Sequence, residues 1–282
     1  MPGAPPIGPS RPPGRVAHAQ GGPLARQTAQ WRVHVPFYAR ALALQGSHPT
    51  VAASLVDHSS VFEDPLGRMV RTSAYATRMW YGDDPAGTAR EIRRLHRRVA
   101  GTDFEGRAYH AWDRDVWTWV HLTTAESLLY ALEVSCGPLR PEQREEVYAG
   151  SRRVGTLYGV RSTDMPPDVA GLRAYVDDGI RRSLRPNPGT DRLRRAVLAG
   201  DVFGRLPVPP AARQALGRAV APTAGVLVFG AFPDPVRRLW GVRWTVRHQA
   251  EYVAFLLATR ALAAALPDRL RMVPAAYRAL HS

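Results

Sequence analysis

Residues 111–136, AWDRDVWTWVHLTTAESLLYALEVSC, decide the fold, because they predict one long helix that is apolar on almost every side. Asp113 or Asp115 can cap the start of this helix, and Gly137 followed by Pro138 ends it. A helix that is hydrophobic all round lies in the interior of a protein, where several neighbours cover it. The stretch therefore predicts a helical domain assembled around this segment.

Outside this stretch, helical periodicity continues in both directions, and the alternation typical of strands is nearly absent. Asp64-Pro65 and Asp84-Pro85 each suit a capping carboxylate followed by proline at the first helical position. The sequence predicts an all-α fold, with a single mostly helical domain over residues 31–282. The predicted helices lie near residues 34–45, 48–60, 64–81, 85–100, 113–136, 140–158, 167–184, 189–199, 209–219, 222–230, 233–240, 244–265 and 268–280.

The first thirty residues form a distinct segment that is rich in Pro, Gly and Arg. Such a composition buries too little apolar surface to offset the entropy of ordering the chain, so we predict a disordered leader over residues 1–30. The segment lacks the apolar stretch of a secretory signal. Elsewhere, polar residues such as His121, Glu126 and Arg260 interrupt the long apolar runs, so we expect no transmembrane segment and a cytoplasmic protein.

The formal net charge of +14 is carried by arginine alone, since the sequence contains no lysine. A positive excess of this size is compatible with a nucleic-acid partner. The abundance of Arg, Ala, Gly and Pro, and the single asparagine at Asn187, indicate instead a GC-rich coding bias. No nucleic-acid-binding motif is recognisable, so we expect no nucleic-acid partner.

Other signatures narrow the function classes further. No HExxH zinc motif, phosphate-binding loop, dinucleotide fingerprint or GxSxG elbow occurs in the sequence. The single cysteine, Cys136, can form neither an internal disulfide nor a thiolate metal site by itself. Its place at the end of an apolar helix suits a small buried side chain.

Residues 86–100, AGTAREIRRLHRRVA, contain the most informative single side chain. On a helix, Ala89, Ile92, His96 and Val99 form one stripe, so His96 lies on the buried face. A buried imidazole needs a partner for at least one ring nitrogen. Periodicity leaves open whether that partner is a backbone carbonyl, a carboxylate or a metal. The remaining surface of the helix carries Arg90, Arg93, Arg94, Arg97 and Arg98.

Two polar side chains, His121 and Glu126, lie within the apolar segment 111–136. His121 shares a helical face with Trp117 and Leu128. An imidazole or carboxylate in such a place is costly unless it is paired. The two residues either satisfy neighbouring polar groups or line a cofactor or substrate cavity, and the sequence supports both interpretations.

Residues 64–82, DPLGRMVRTSAYATRMWYG, contain a second candidate cluster. Arg68, Arg71 and Thr72 are three and four residues apart, so all three can project from one side of a helix. A guanidinium and a hydroxyl on one face suit an anionic group such as a carboxylate or phosphate. An ordinary salt bridge to a nearby Asp or Glu is the alternative that the spacing leaves open.

Five short motifs follow one another along the chain: DPLGRMVRT at 64–72, Gly82, LHRRVAG at 95–101, YHAWDRDVWTWVHLTTAESLL at 109–129 and RMVP at 271–274. Their order and spacing resemble the rubber-oxygenase family, which includes the bacterial latex-clearing proteins and the fungal oxygenase MpaB. The resemblance extends over residues 38–279. Each motif is weak alone, whereas five in the same order are specific.

The resemblance implies an all-helical fold with a distantly globin-like core that binds haem b without a covalent link. In the latex-clearing branch a histidine holds the iron, and it corresponds to His96, the expected metal ligand. A cluster near the open side of the haem corresponds to Arg68, Arg71 and Thr72, which become candidate catalytic residues. Arg71 stands where that branch has lysine, and a guanidinium stays charged and does not ligate iron.

The function that the resemblance implies is a haem-dependent oxygenase. It would use dioxygen on a small hydrophobic molecule, terpenoid- or lipid-like, by oxygen insertion or alkene cleavage. Trp117 is expected to line the haem cavity, Arg93, Arg97 or Arg71 to pair with the propionates, and His121 to be a further candidate catalytic residue. The alternative function is a helical haem-binding or sensing module without turnover.

Overall fold

The computed structural model describes residues 23–201 and 208–281, and its regular elements are helices apart from one short hairpin. In the hairpin, β1 (Ala100–Thr102) pairs antiparallel with β2 (Ala108–His110). The predicted all-α fold is confirmed. The helices are α1 (Pro23–Thr28), α2 (Trp31–Gly46), α3 (Pro49–His58), α4 (Pro65–Tyr81), α5 (Pro85–His96), α6 (Arg114–Cys136), α7 (Pro141–Tyr158), α8 (Val169–Arg182), α9 (Pro188–Ala199), α10 (Pro210–Gly230), α11 (Asp234–Leu239), α12 (Val246–Ala265), α13 (Asp268–Arg271) and α14 (Pro274–His281), with a 3₁₀ turn at Ser162–Asp164.

The helix α6 lies at the centre of the molecule, as its apolar sequence predicts. Leu122 and Leu132 are fully buried, and α2, α7, α8 and α12 all pack against the helix. The Thr123 hydroxyl donates to the carbonyl of Trp119 one turn earlier at 2.7 Å. Other buried polar atoms of α6 have no hydrogen-bond partner among the described residues, namely the Trp119 Nε1, the His121 Nε2 and the Ser127 hydroxyl.

Two aspartates fix the starts of the helices that lead to the site. The Asp64 side chain accepts from the backbone N–H of Gly67 at 3.1 Å, at the start of α4. The Asp84 side chain accepts from the N–H of Gly87 at 2.7 Å, at the start of α5. In both helices proline occupies the first turn. These starts agree with the capping signals in the sequence.

Several predicted boundaries are wrong in detail. Residues 209–219 and 222–230, predicted as two helices, form the single helix α10 with Pro222 inside it. Pro222 is exposed, as is Arg218 one turn earlier, so water can satisfy the carbonyl that loses its helical partner. Residues 268–280 divide into α13 and α14, because proline at position 274 disfavours helix in the residue before it.

The helix predicted over 85–100 ends earlier, at His96. The chain then forms the hairpin β1–β2, which leads directly into α6. The tight turn of the hairpin contains Gly106, whose φ of 79° is open to glycine without strain. The consequence is that the end of α5 and the start of α6 lie side by side.

The predicted leader over residues 1–30 extends too far. Residues 23–28 form α1, and Leu24 and Ala25 within it are at most 4% exposed. The Tyr81 hydroxyl donates to the Ala25 carbonyl at 2.8 Å, so tertiary contacts order a segment whose composition alone predicts disorder. The first 22 residues of the predicted leader lie outside the described residues. No helix in the described ranges is both long and apolar enough to cross a bilayer.

A close approach of α9 and α10 gives a test of the packing. A Cβ added to Gly217 would lie 2.6 Å from the Gly200 carbonyl oxygen, a backbone atom that cannot move cheaply. We expect Gly217→Ala to lower the free energy of unfolding by about 1–3 kcal/mol. Gly225→Ala, in the same helix, adds a Cβ with no neighbour closer than 3.9 Å and should gain up to about 1 kcal/mol. Urea unfolding of both variants measures this, and equal effects would contradict the packing described.

Candidate functional site

His96 is the last residue of α5, and its imidazole is half-buried. Its Nδ1 lies 2.8 Å from the carbonyl oxygen of Ile92, one turn earlier. A carbonyl oxygen can only accept, so Nδ1 carries the ring proton and donates it. No residue in the described ranges bonds Nε2. In the neutral ring, Nε2 therefore retains a free lone pair, with the ring orientation fixed by the helix itself.

The electrostatic surroundings keep this imidazole neutral. Burial lowers the pKa of His96, the Ile92 carbonyl opposes that shift, and the positive charge of Arg68 on α4 lowers the pKa further. Burial and the neighbouring Arg71 also lower the pKa of Arg68 itself. A neutral imidazole with a free nitrogen lone pair can bind a metal, and the neighbouring guanidinium can bind an anion.

An aromatic wall covers one side of His96. The Trp117 ring on α6 meets the His96 ring edge to face, with 5.4 Å between centroids and 70° between planes. The indole Nε1 of Trp117 donates to the Tyr158 carbonyl at 3.2 Å, and its ring also contacts Tyr158 at 6.3 Å. Trp117, which is itself held by Tyr158 at the end of α7, therefore restricts rotation of the His96 ring.

A tyrosine that the sequence analysis did not single out also belongs to this region. Burial raises the pKa of the Tyr38 hydroxyl on α2 to about 12, while the proximity of Ser73 and the charge of Arg68 oppose the shift. Tyr38 also interacts electrostatically with Tyr158. Tyr38 is therefore a protonated hydroxyl close to the Arg68 guanidinium. In the sequence, Tyr38 follows His34 by four residues, and this spacing places both rings on one face of α2.

The three residues predicted to form a cluster on α4 separate in the structure. The Arg68 guanidinium donates to the Thr72 hydroxyl, and that hydroxyl donates to the Arg68 carbonyl at 2.9 Å. Arg71 instead donates to the Asp64 carboxylate at 3.0 Å and to the Ser60 hydroxyl at 2.7 Å. Its side chain is 54% exposed. Arg71 thus forms the ordinary salt bridge that the sequence left open as an alternative, whereas Arg68 and Thr72 are hydrogen-bonded to each other.

Of the arginines predicted to pair with haem propionates, Arg93 lies on α5 and Arg97 directly follows the last residue of that helix. The Arg93 guanidinium lies over the Trp112 ring, 5.3 Å from its centroid, and Arg97 is exposed. Neither makes a contact with His96 or Arg68 among the described residues. Both side chains are exposed. The sequence indicated an outward, arginine-rich face here, but spacing alone could not tell whether these arginines reach the site.

His121 lies apart from His96, between α6 and α7. It is 7% exposed, and burial lowers its pKa to about 4, opposed by the Ser151 carbonyl. Its Nε2 faces Gly155 so closely that a Cβ added there would come within 2.4 Å. Its ring lies 6.2 Å from that of Tyr158. His121 is thus a neutral buried imidazole in contact with the site through Tyr158.

Glu126, the other polar residue of α6, is paired. Arg40 on α2 donates from Nε to both Glu126 carboxylate oxygens, at 3.0 and 2.8 Å. The Arg40 guanidinium also lies over the Tyr130 ring, 4.1 Å from its centroid. This ion pair lines a small cavity of about 240 Å³, so Glu126 is both satisfied and cavity-lining.

The described residues contain no group of three His, Cys, Asp or Glu side chains that could hold a metal ion together. His96 therefore stands as a single imidazole with an available nitrogen. The larger cavity, of about 470 Å³, lies further along α6 beside Tyr130. Trp117 and Tyr130 are thirteen residues apart, which is about 20 Å along a helix.

Comparison with known proteins gives one finding. A family model described as the catalytic domain of ER-bound oxygenase mpaB/B' and rubber oxygenase matches residues 25–264, most of the chain. No curated protein and no solved structure matches it.

The placement of Arg68 and Arg71 gives a matched pair of variants. Since the charge of Arg68 lowers the pKa of His96, Arg68→Gln should raise that pKa. Arg71→Gln, on the same helix but paired outward with Asp64, should leave it nearly unchanged. Titration of the His96 ring followed by NMR measures its pKa in both variants. An equal change of that pKa in the two variants would contradict the described positions of Arg68 and Arg71.

The buried imidazole of His121 predicts a pH dependence of stability. Its folded-state pKa of about 4 lies below the ordinary 6.5, so protons bind more strongly to the unfolded chain. Stability from this group is therefore complete above about pH 6.5 and is lost as the pH falls toward 4, by up to about 3 kcal/mol. The free energy of unfolding, measured with urea from pH 7 to pH 4, should fall less steeply with falling pH in His121→Gln than in the native chain. An equal pH dependence in the two proteins would contradict the burial of His121.

Proposed function

Because the chain belongs to the family of mpaB-type and rubber oxygenase catalytic domains, and is thus an oxygenase, we propose that it depends on haem b held by His96. One observation carries this proposal, the His96 ring with Nδ1–H fixed by the Ile92 carbonyl and Nε2 unpaired. Metal-binding histidines have this arrangement, in which the second nitrogen donates to a carbonyl and fixes the tautomer.

The donor set suits haem for a further chemical reason. A single imidazole holds an iron well only when other ligands arrive with the metal, and the four ring nitrogens of a porphyrin are such ligands. Trp117 offers a flat apolar surface beside the His96 ring. Arg68, rather than Arg93 or Arg97, is the guanidinium within electrostatic reach of His96, so we assign it to an anionic substituent of the group.

When bound, haem supplies the redox chemistry by which dioxygen is used. The residues of the chain then have separate roles. His96 orients the haem through Nε2. Trp117 and Tyr158 exclude water from the side of the imidazole that Trp117 covers. Arg68, held by Thr72, would donate hydrogen bonds to an anionic group in the site.

Two further residues complete the proposed mechanism. Tyr38, whose hydroxyl stays protonated because burial raises its pKa to about 12, provides a proton near Arg68. Arg71 is paired with Asp64, and a guanidinium does not ligate iron, so Arg71 would not compete with dioxygen for the group.

We propose a small hydrophobic substrate, terpenoid- or lipid-like, that is oxidised by oxygen insertion or alkene cleavage. Family membership supports dioxygen as the co-substrate. The apolar aromatic surface at Trp117 supports a hydrophobic second substrate, because such surfaces gain most from covering apolar groups.

The visible spectrum of protein produced with a haem supply tests the proposal. We expect a Soret band in the native chain, its loss in His96→Ala and its return when imidazole is added to His96→Gly. His110→Ala is the matched control, because His110 is nearby but its Nε2 is already bonded to the Arg97 carbonyl at 3.0 Å. It should keep the band. A colourless native protein, or a band that survives in His96→Ala, would show that His96 does not hold a haem.

A further inference from the structure

The cavity of about 470 Å³ lies between α6, α11 and α12, well away from His96. Its lining includes the apolar side chains of Val134, Phe232, Val253, Leu256 and Leu257. Its volume lies within the range of small-molecule sites. At the mouth, Val253 and Leu257 are 43% and 55% exposed. A bound apolar chain would remove both from water, which is favourable in proportion to the area covered.

Two tyrosines form the floor of this cavity. The Tyr130 hydroxyl lies 3.3 Å from the Gly230 carbonyl and 3.1 Å from the Tyr252 hydroxyl. Because the carbonyl can only accept, Tyr130 donates to it, and Tyr252 donates to the Tyr130 oxygen. Burial raises the pKa of both hydroxyls. The floor therefore carries no phenolate charge that would repel an anion.

Arg260 supplies a fixed cation at the wall. Its Nε donates to the Ser135 carbonyl at 3.2 Å, and its Nη2 donates to the Val134 carbonyl at 2.8 Å. These bonds hold the guanidinium against the end of α6. No residue in the described ranges bonds Nη1, so this nitrogen keeps two N–H donors. A preoriented guanidinium with spare donors matches a carboxylate.

A second cation stands on the same cavity. Arg237 is 9% exposed, and its Nη1 donates to the Phe232 carbonyl at 2.8 Å. It also pairs with Asp234, the one carboxylate of the lining. The lining therefore holds two guanidinium groups against one carboxylate, which leaves it net positive and complementary to a singly charged anion.

We propose that this cavity binds a long-chain carboxylic acid, with the carboxylate at Arg260 and the chain along Val253 and Leu257. The site is separate from His96, since Tyr130 at its floor is about 20 Å along α6 from Trp117. It therefore adds a second, lipid-binding function to the one proposed above, and neither depends on the other.

Titration with hexadecanoate labelled with ¹³C at the carboxyl carbon, followed by NMR, tests the site on the full chain. We expect saturable binding of one molecule per chain. Hexadecanol in competition should bind about tenfold more weakly, because it lacks the charge-assisted bonds of the carboxylate. Arg260→Gln should remove most of that preference for the acid.

A matched pair of variants on α12 locates the binding. Leu257→Trp fills the mouth of the cavity and should weaken hexadecanoate binding at least about tenfold. Leu262→Trp is the control, because Leu262 is 59% exposed on the same helix but lies outside the lining. It should bind as the native chain does. No saturable binding, or equal affinity in the two Trp variants, would overturn the proposal. Binding should persist in His96→Ala, which separates this outcome from that of the haem proposal.

Discussion

The burial of α6 on all sides is the constraint on which the rest of the structure depends. Burying a helix on every side removes water from its polar side chains, so a side chain left without a hydrogen-bond partner is costly. Glu126 has its partner in Arg40 of α2, and Trp117 has one in the Tyr158 carbonyl at the end of α7. The same contacts that satisfy α6 place the aromatic wall beside His96. Packing and site geometry are therefore determined together.

Much of the fold follows from local signals. The length of α6, and the starts of α4 and α5 at Asp64 and Asp84, agree with the apolar run and the capping residues. The errors lie where tertiary contacts override local preference. α1 is ordered by burial against Tyr81, and α10 continues through Pro222 because its exposed face lets water replace the missing bond.

The site was predictable only in part, and for a physical reason. Periodicity identified the inward face of His96, but it gave no partner for the ring, which proved to be the Ile92 carbonyl on the same helix. The spacing grouped Arg68 with Arg71. In the structure Arg68 is hydrogen-bonded to Thr72 and Arg71 forms an ion pair with Asp64, so the two side chains separate. Tyr38 reaches the site from a different helix, and no pattern along one helix reports contacts made across several. The roles of these residues in catalysis stay predictions.

The proposed role of His96 as the iron ligand depends most directly on the tautomer of its imidazole. NMR of protein labelled with ¹⁵N in its histidine rings measures this at neutral pH. We predict that His96 has a protonated Nδ1 and an unprotonated Nε2, and that haem perturbs the Nε2 resonance. A proton on Nε2 in the free protein, or an Nε2 resonance that haem leaves unchanged, would contradict the assignment of His96 as the iron ligand.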